Sequence, residues 1–250
     1  MSKLPYAPLN EVIFEIRWPL QMTDQGYMVD EGFELASGRL SILVEEDFPI
    51  NRRVKSAELP EQFFPYQVIH QYWKGEQKWP VLQLGPGIFT INYTDKAYYW
   101  EDMLNLIKKG IKWLMQAYRE KVNIDFASLN YIDIIEAEKY GGVDSDWSSF
   151  IAKNLNVTHE NNFPIPGKQN HIQINQMFAM DDGSNIRIQI SDGSSYNKEA
   201  LVWQTAVVKK HDFSKVTDLF EWAEFAHDTT HTLFMEMVKP DLYASFENEN

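Results

Sequence analysis

Val12, Phe14, Ile16 and Trp18 alternate with Ile13, Glu15 and Arg17, a period of two that predicts a strand with one well-buried face. Phe33, Ala36, Leu40 and Leu43 then recur at helical spacing. They predict a helix that Asp30 can cap, with Gly38 as its weak point and Pro49 beyond its end. A loop carries the chain to Pro65. Three aromatic and β-branched runs follow, Gln67 to Lys74, Trp79 to Leu84 and Ile88 to Tyr93. Lys74-Gly75-Glu76 and Gly85-Pro86-Gly87 separate them, which is the pattern of a meander. Tyr98 to Lys121 predicts a long helix buried along Met103, Ile107, Ile111, Leu114 and Tyr118.

The second half repeats this order. Phe126 to Glu136 reads as a strand, and Asp144-Ser145-Asp146 caps a short helix from Trp147 to Leu155. A loop with Pro164 and Pro166 leads to His171–Met180 and Ile186–Ile190, which flank the hairpin signal Asp181-Asp182-Gly183. Ala200 to Lys209 completes a second meander, and Val216 to Val238 predicts the last helix. The expected fold is therefore α+β, with two pseudo-repeated β-α-β-β-β-α halves, residues 1–123 and 124–250. Each half has an antiparallel sheet packed by one long helix, and the two sheets can join edge to edge or pack face to face. Lys121 to Phe126 runs on without a Gly/Ser/Pro linker, so the halves are expected to form one compact unit.

With 44% hydrophobic and 24% charged residues, the composition excludes a disordered or fibrous chain. No apolar run reaches the ~20 residues of a membrane helix, and the N-terminal residues show no secretory pattern. The absence of Cys excludes thiol catalysis and disulfides, and with these features points to the cytoplasm. The net charge of −13 disfavours nucleic acid and anionic lipid as partners. The densest basic stretch, Asn51-Arg52-Arg53-Val54-Lys55, reads as a solvated loop, and Glu247 to Asn250 as a frayed tail.

Pro8-Leu9-Asn10-Glu11-Val12-Ile13-Phe14-Glu15-Ile16-Arg17 resembles the opening of a sporadically distributed family of uncharacterised prokaryotic proteins of about this length. Leu82-Gln83-Leu84-Gly85, Asn92-Tyr93 with Trp100-Glu101, Leu129-Asn130-Tyr131-Ile132, and Phe225-Ala226-His227 with Phe234 are similar to its later segments, in the same order. Where its members tend to carry Arg-Tyr-Ile-Asn, this chain has Asn130-Tyr131-Ile132-Asp133. The resemblance implies no activity. The family's patchy distribution implies an accessory gene, in a defence or toxin–antitoxin setting, with a possible protein partner encoded by a neighbouring gene.

The sharpest chemical pattern is His227-Asp228-Thr229-Thr230-His231. Two His four apart on a helix face the same way and can both ligate zinc, with Glu224, one turn before His227, as a third ligand. Asp228 stands where a zinc protease carries its Glu base. Against this stands a plain alternative, in which His227 lies on the buried stripe and His231 at its edge. Neither a phosphate-binding loop nor a nucleophilic-serine elbow occurs. Aromatic residues crowd the first half, among them Phe63, Phe64, Tyr72, Trp73, Trp79, Tyr93, Tyr98 and Trp100. Tyr72 and Trp73 point to opposite faces of a strand, so one face must show aromatic surface to the other half, to a second subunit or to a ligand.

These features make a non-catalytic protein- or ligand-binding protein the leading expectation. It carries no cofactor, its ligand-contacting candidates are Trp73, Trp79, Tyr93 and Trp100, and it assembles as a homodimer through Trp73 or Trp79. A small-molecule binder with Trp and Tyr walls between sheet and helices is a variant of the same reading. The alternative is a zinc-dependent hydrolase or nuclease built on His227, His231 and Glu224.

Overall fold

The alternation at the start of the chain is realised in β1 (Leu9–Arg17), where Val12, Phe14 and Ile16 are fully buried. A computed structural model describes residues 4–54, 65–94, 98–143, 146–210, 213 and 215–247. Lys55, Phe63, Phe64, Asp144, Ser145 and the tail at 248–250 lie outside the described residues. After β1 come a small hairpin of β2 (Gln21–Met22) and β3 (Met28–Val29), then α1 (Phe33–Val44) and β4 (Ile50–Arg53). The meander is β5 (His70–Gly75), β6 (Lys78–Gly85) and β7 (Ile88–Tyr93), followed by α2 (Trp100–Ala117). The second half runs β8 (Phe126–Glu136), a 3-10 turn at Ala137–Tyr140, α3 (Trp147–Asn154), β9 (Gln173–Ala179), β10 (Ser184–Ser195), β11 (Lys198–Lys209), α4 (Val216–Met237) and α5 (Pro240–Glu247).

The fold is α+β with antiparallel strands; of the two expected arrangements the sheets take the edge-to-edge one, and the two no longer stand as separate sheets with one helix each. Among the described residues nine strands pair in the order β4-β5-β6-β7-β1-β8-β11-β10-β9. The join is made by the opening strands of the two halves, with Phe14 opposite Leu129 and Ile16 opposite Ala127. Pairing them removes two free edges from the middle of the molecule. A second departure is β4, in the stretch expected to be a loop. Asn51, Arg52 and Arg53 pair with Tyr72, Gln71 and His70 through the backbone, so a polar sequence without alternation still forms an edge strand.

The helices take one side of the sheet. The larger core joins Val12, Phe14, Leu82, Phe89, Ile91, Ala127, Leu129 and Val207 to α1, α2 and α4. The smaller core joins Ile135, Ile188, Ile190, Leu201 and Trp203 to α3, α5 and the end of α4. By register these strand residues share one face. α2 and α4 also touch each other, so the long helices are not confined to separate sheets. Among the described residues no helix is long and apolar enough to cross a membrane.

The opposite sheet face is polar along its middle. Thr90 Oγ1 lies 2.8 Å from both Gln83 Oε1 and Asn92 Oδ1, and Asn92 donates to Glu11 Oε1 at 2.8 Å. Trp73 belongs to this face while Tyr72 is buried on the other, as the strand alternation requires.

Candidate functional site

Between the two cores the helix-facing side of the sheet turns polar. Along β8 the inward positions are Ala127, Leu129, Tyr131, Asp133 and Ile135, so a phenol and a carboxyl stand where the flanking positions are aliphatic. Thr205 of β11 sits opposite Tyr131 and is buried, as is Thr230 of α4. Over this floor lie the first residue of α2, Trp100, and the middle of α4, His227 and His231, with Tyr93 from the end of β7 and Tyr98 just before α2.

The groups are tied together. The Tyr98 and Tyr131 hydroxyls are 2.8 Å apart, and the Tyr131 hydroxyl is 2.8 Å from His227 Nδ1. A hydroxyl has one proton to give, so the chain runs in one sense: Tyr98 donates to Tyr131 and Tyr131 to Nδ1, or the reverse. Tyr98 packs edge-on against Tyr93 and Tyr131, with centroids 5.6 and 6.2 Å apart. Trp100 stacks on His227 at 4.1 Å, and His231 follows at 6.3 Å.

Burial governs the protonation states. Desolvation brings the His227 imidazole down to about 4; the neighbouring His231 works in the same direction, against Asp228 and Glu101. Desolvation likewise raises the Asp133 carboxyl to about 7 and holds the Tyr98 and Tyr131 phenols well above their ordinary range. At neutral pH the seam therefore offers neutral imidazole, protonated phenols and a carboxyl close to half-protonated. This is a set of hydrogen-bonding groups with little fixed charge.

The predicted residues fall into two places. Tyr93 and Trp100 join the seam, together with His227 and His231. Trp73 and Trp79 lie on the opposite sheet face, packed edge to face at 4.9 Å, with Trp73 Nε1 donating to Gln71. Glu224 does not converge with the two histidines: it is exposed and pairs with Lys108 at 3.6 Å. Among the described residues no group of three or more His, Asp or Glu is placed to hold a metal ion. An open depression of about 210 Å³, bordered by Tyr6, Leu9, Ile135, Lys139 and Tyr140, is lined by none of the predicted site residues.

Tyr131 and Asp133 are the site residues that sequence reasoning did not single out. The signal was present: both occupy the inward phase of a strand whose other inward positions are apolar. An acid in that phase is either paired or protonated. Compared with models of known protein families, with curated proteins and with solved structures, the chain matches none.

Proposed function

We propose that this chain is a non-catalytic binding protein that holds a small polar ligand in the seam between α2, α4 and the centre of the sheet. The observation that carries this reading is the linked set Tyr98–Tyr131–His227 under the Trp100 indole, over the buried Asp133. Perturbed titratable groups gathered between aromatic walls are the usual furniture of a ligand site. The two phenols keep their protons at neutral pH and Nδ1 of His227 is already engaged, which favours hydrogen bonding over acid–base work. Three of the later segments through which the chain resembles the prokaryotic family contribute side chains to this seam: Tyr93 with Trp100, Tyr131, and His227.

The strand order also supports an origin by duplication. Leaving β4 aside, β5-β6-β7-β1 and β8-β11-β10-β9 correspond strand for strand about the β1–β8 join.

The test is a thermal-shift screen of nucleosides, amino acids and sugars against the native protein and its Trp100→Ala and Trp73→Ala variants. A ligand that binds only the folded state raises the melting temperature with concentration. A compound that stabilises the native protein and Trp73→Ala, but not Trp100→Ala, supports the seam. Stabilisation lost in Trp73→Ala and kept in Trp100→Ala moves the site to the opposite sheet face and overturns the reading.

A further inference from the structure

The two ends of the sheet are finished differently. β4, at one end, is four residues long, follows Pro49 and carries Arg52 and Arg53. Shortness, proline and charge are the means by which edge strands avoid pairing with other chains. β9, at the other end, has none of them. Its sequence, Gln173-Ile174-Asn175-Gln176-Met177-Phe178-Ala179, holds no charge and no proline. It pairs with β10 in unbroken register over all seven residues, so no bulge twists its outer edge away. All but Ile174 are exposed, with Met177 at 69% and Phe178 at 47%.

We propose that this protein forms a homodimer through the outer edge of β9, two copies pairing antiparallel about a twofold axis at Gln176 so that the two sheets become one. This inference stands apart from the ligand seam and does not depend on it. It also places the dimer contact at the far end of the sheet from Trp73 and Trp79.

A second copy fits this edge for two reasons. A chain of net charge −13 repels its own copies, and seven uncharged residues give them a place to meet without opposing like charges. The strand is also self-complementary. A twofold axis normal to the sheet keeps the helices of both copies on one side, so residues of the same face must oppose each other. Centred on Gln176, that pairing sets amide against amide at the axis, Ile174 against Phe178 on the helix face, and Asn175 against Met177 on the other.

The absence of Cys makes the register directly testable. Residues opposite themselves in an antiparallel pair have Cα atoms about 4.5–5.5 Å apart, within the range a disulfide spans. Gln176→Cys should therefore cross-link to a covalent dimer under mild oxidation. Gln173→Cys, whose copies lie about 20 Å apart in this register, should not. Light scattering should show a dimer for the native chain. Gln176→Lys, which sets two ammonium groups face to face, should give a monomer with an unchanged circular dichroism spectrum. A native monomer at all concentrations overturns the proposal. So does a dimer that survives Gln176→Lys, or equal cross-linking of the two cysteine variants. A foreign protein captured on this edge by a monomeric chain overturns it as well.

Discussion

The indole of Trp100 lies flat on the imidazole of His227, with ring centroids 4.1 Å apart and planes 9° from parallel. One ring opens α2 and the other sits in the middle of α4, so the stack joins the long helices of the two halves. It also covers a face of the imidazole, contributing to the desolvation that keeps His227 neutral.

His227 and His231 should respond differently to truncation. His227→Ala leaves the Tyr131 hydroxyl without its nitrogen partner and removes the stack, a loss on the order of 1–3 kcal/mol. His231→Ala should stay within about 0.5 kcal/mol of the native protein, since among the described residues no hydrogen bond ties its ring. Urea unfolding measures both, and zinc analysis of the same samples separates this account from a metal centre. Stoichiometric zinc in the native protein, lost equally in the two variants, would show that both rings serve as ligands.

Stability should carry two opposing pH trends from this seam. The folded-state value of His227, about 4, lies below its ordinary 6.5. Between those values the unfolded chain binds more protons, so this contribution is present above pH 6.5 and is lost as the pH falls toward 4. Asp133 is reversed, its folded value of about 7 lying above the ordinary 3.8. Its contribution is fully present below pH 3.8 and is lost as the pH rises to about 7. Asp133→Asn removes the second trend and keeps the shape of the neutral acid. The variant should melt above the native protein at pH 8, by a smaller margin at pH 5, and close to it at pH 3, by scanning calorimetry at matched ionic strength. A variant that melts lower at pH 8 would mean that the ionised carboxylate is the stabilising form.

Much of the fold was legible because burial on one side imprints a period on the chain. β1, β8, α2 and α4 each keep an apolar phase over many residues, and their predicted extents match the observed ones closely. The Tyr196-Asn197 hairpin turn, with both φ values positive, joins β10 to β11 without any glycine to mark it. The joining of the two sheets is a matter of backbone pairing between β1 and β8, for which a one-sided burial pattern carries no signal. β4 is polar, and α5 is a short helix that buries only Leu242 and Phe246. In the seam, Trp100 and His227 were each visible as unusual residues, but under separate hypotheses. Their contact depends on how α2 and α4 cross, which the spacing within either helix does not encode.

Asp30 was expected to cap α1, but the N-cap is Gly32 and among the described residues no side chain caps the first turn; Asp30 instead ties neighbouring segments together. One carboxylate oxygen accepts from Gly32 N at 3.1 Å, just ahead of the helix. The other accepts from Trp18 Nε1, Gly87 N and the Tyr118 hydroxyl at 3.1, 3.2 and 2.8 Å. Four segments therefore meet on one side chain: the end of β1, the start of α1, the β6–β7 turn and the end of α2. Asp30→Ala strands several of these donors among buried neighbours and should cost on the order of 3 kcal/mol or more. Tyr118→Phe, which removes one donor and leaves the ring against Trp18, should cost about 1 kcal/mol. Equal losses in the two variants would show that the phenol dominates and that the carboxylate is not the hub.

Two glycines of the first half should respond to alanine in opposite ways. Gly38 lies inside α1, and a Cβ built there meets nothing within 4 Å. Glycine in an exposed helix interior loses more backbone freedom on folding than alanine does, so Gly38→Ala should stabilise the protein by about 0.5–1 kcal/mol. Gly85 closes β6 under the chain that enters β5, and a Cβ there would lie 1.7 Å from the Gln67 carbonyl oxygen. That oxygen is backbone, so relief requires moving the Gln67 segment rather than turning a side chain. The same strand end is tied down by the Ile69 N–H, which donates to the Leu84 carbonyl at 2.9 Å. Gly85→Ala should therefore destabilise by on the order of 3 kcal/mol, with the cost felt where β5 and β6 pair. Denaturant melts of the two variants beside the native chain should move in opposite directions. A Gly85→Ala protein as stable as the native one would mean that the chain before β5 yields freely and does not fix the end of the sheet.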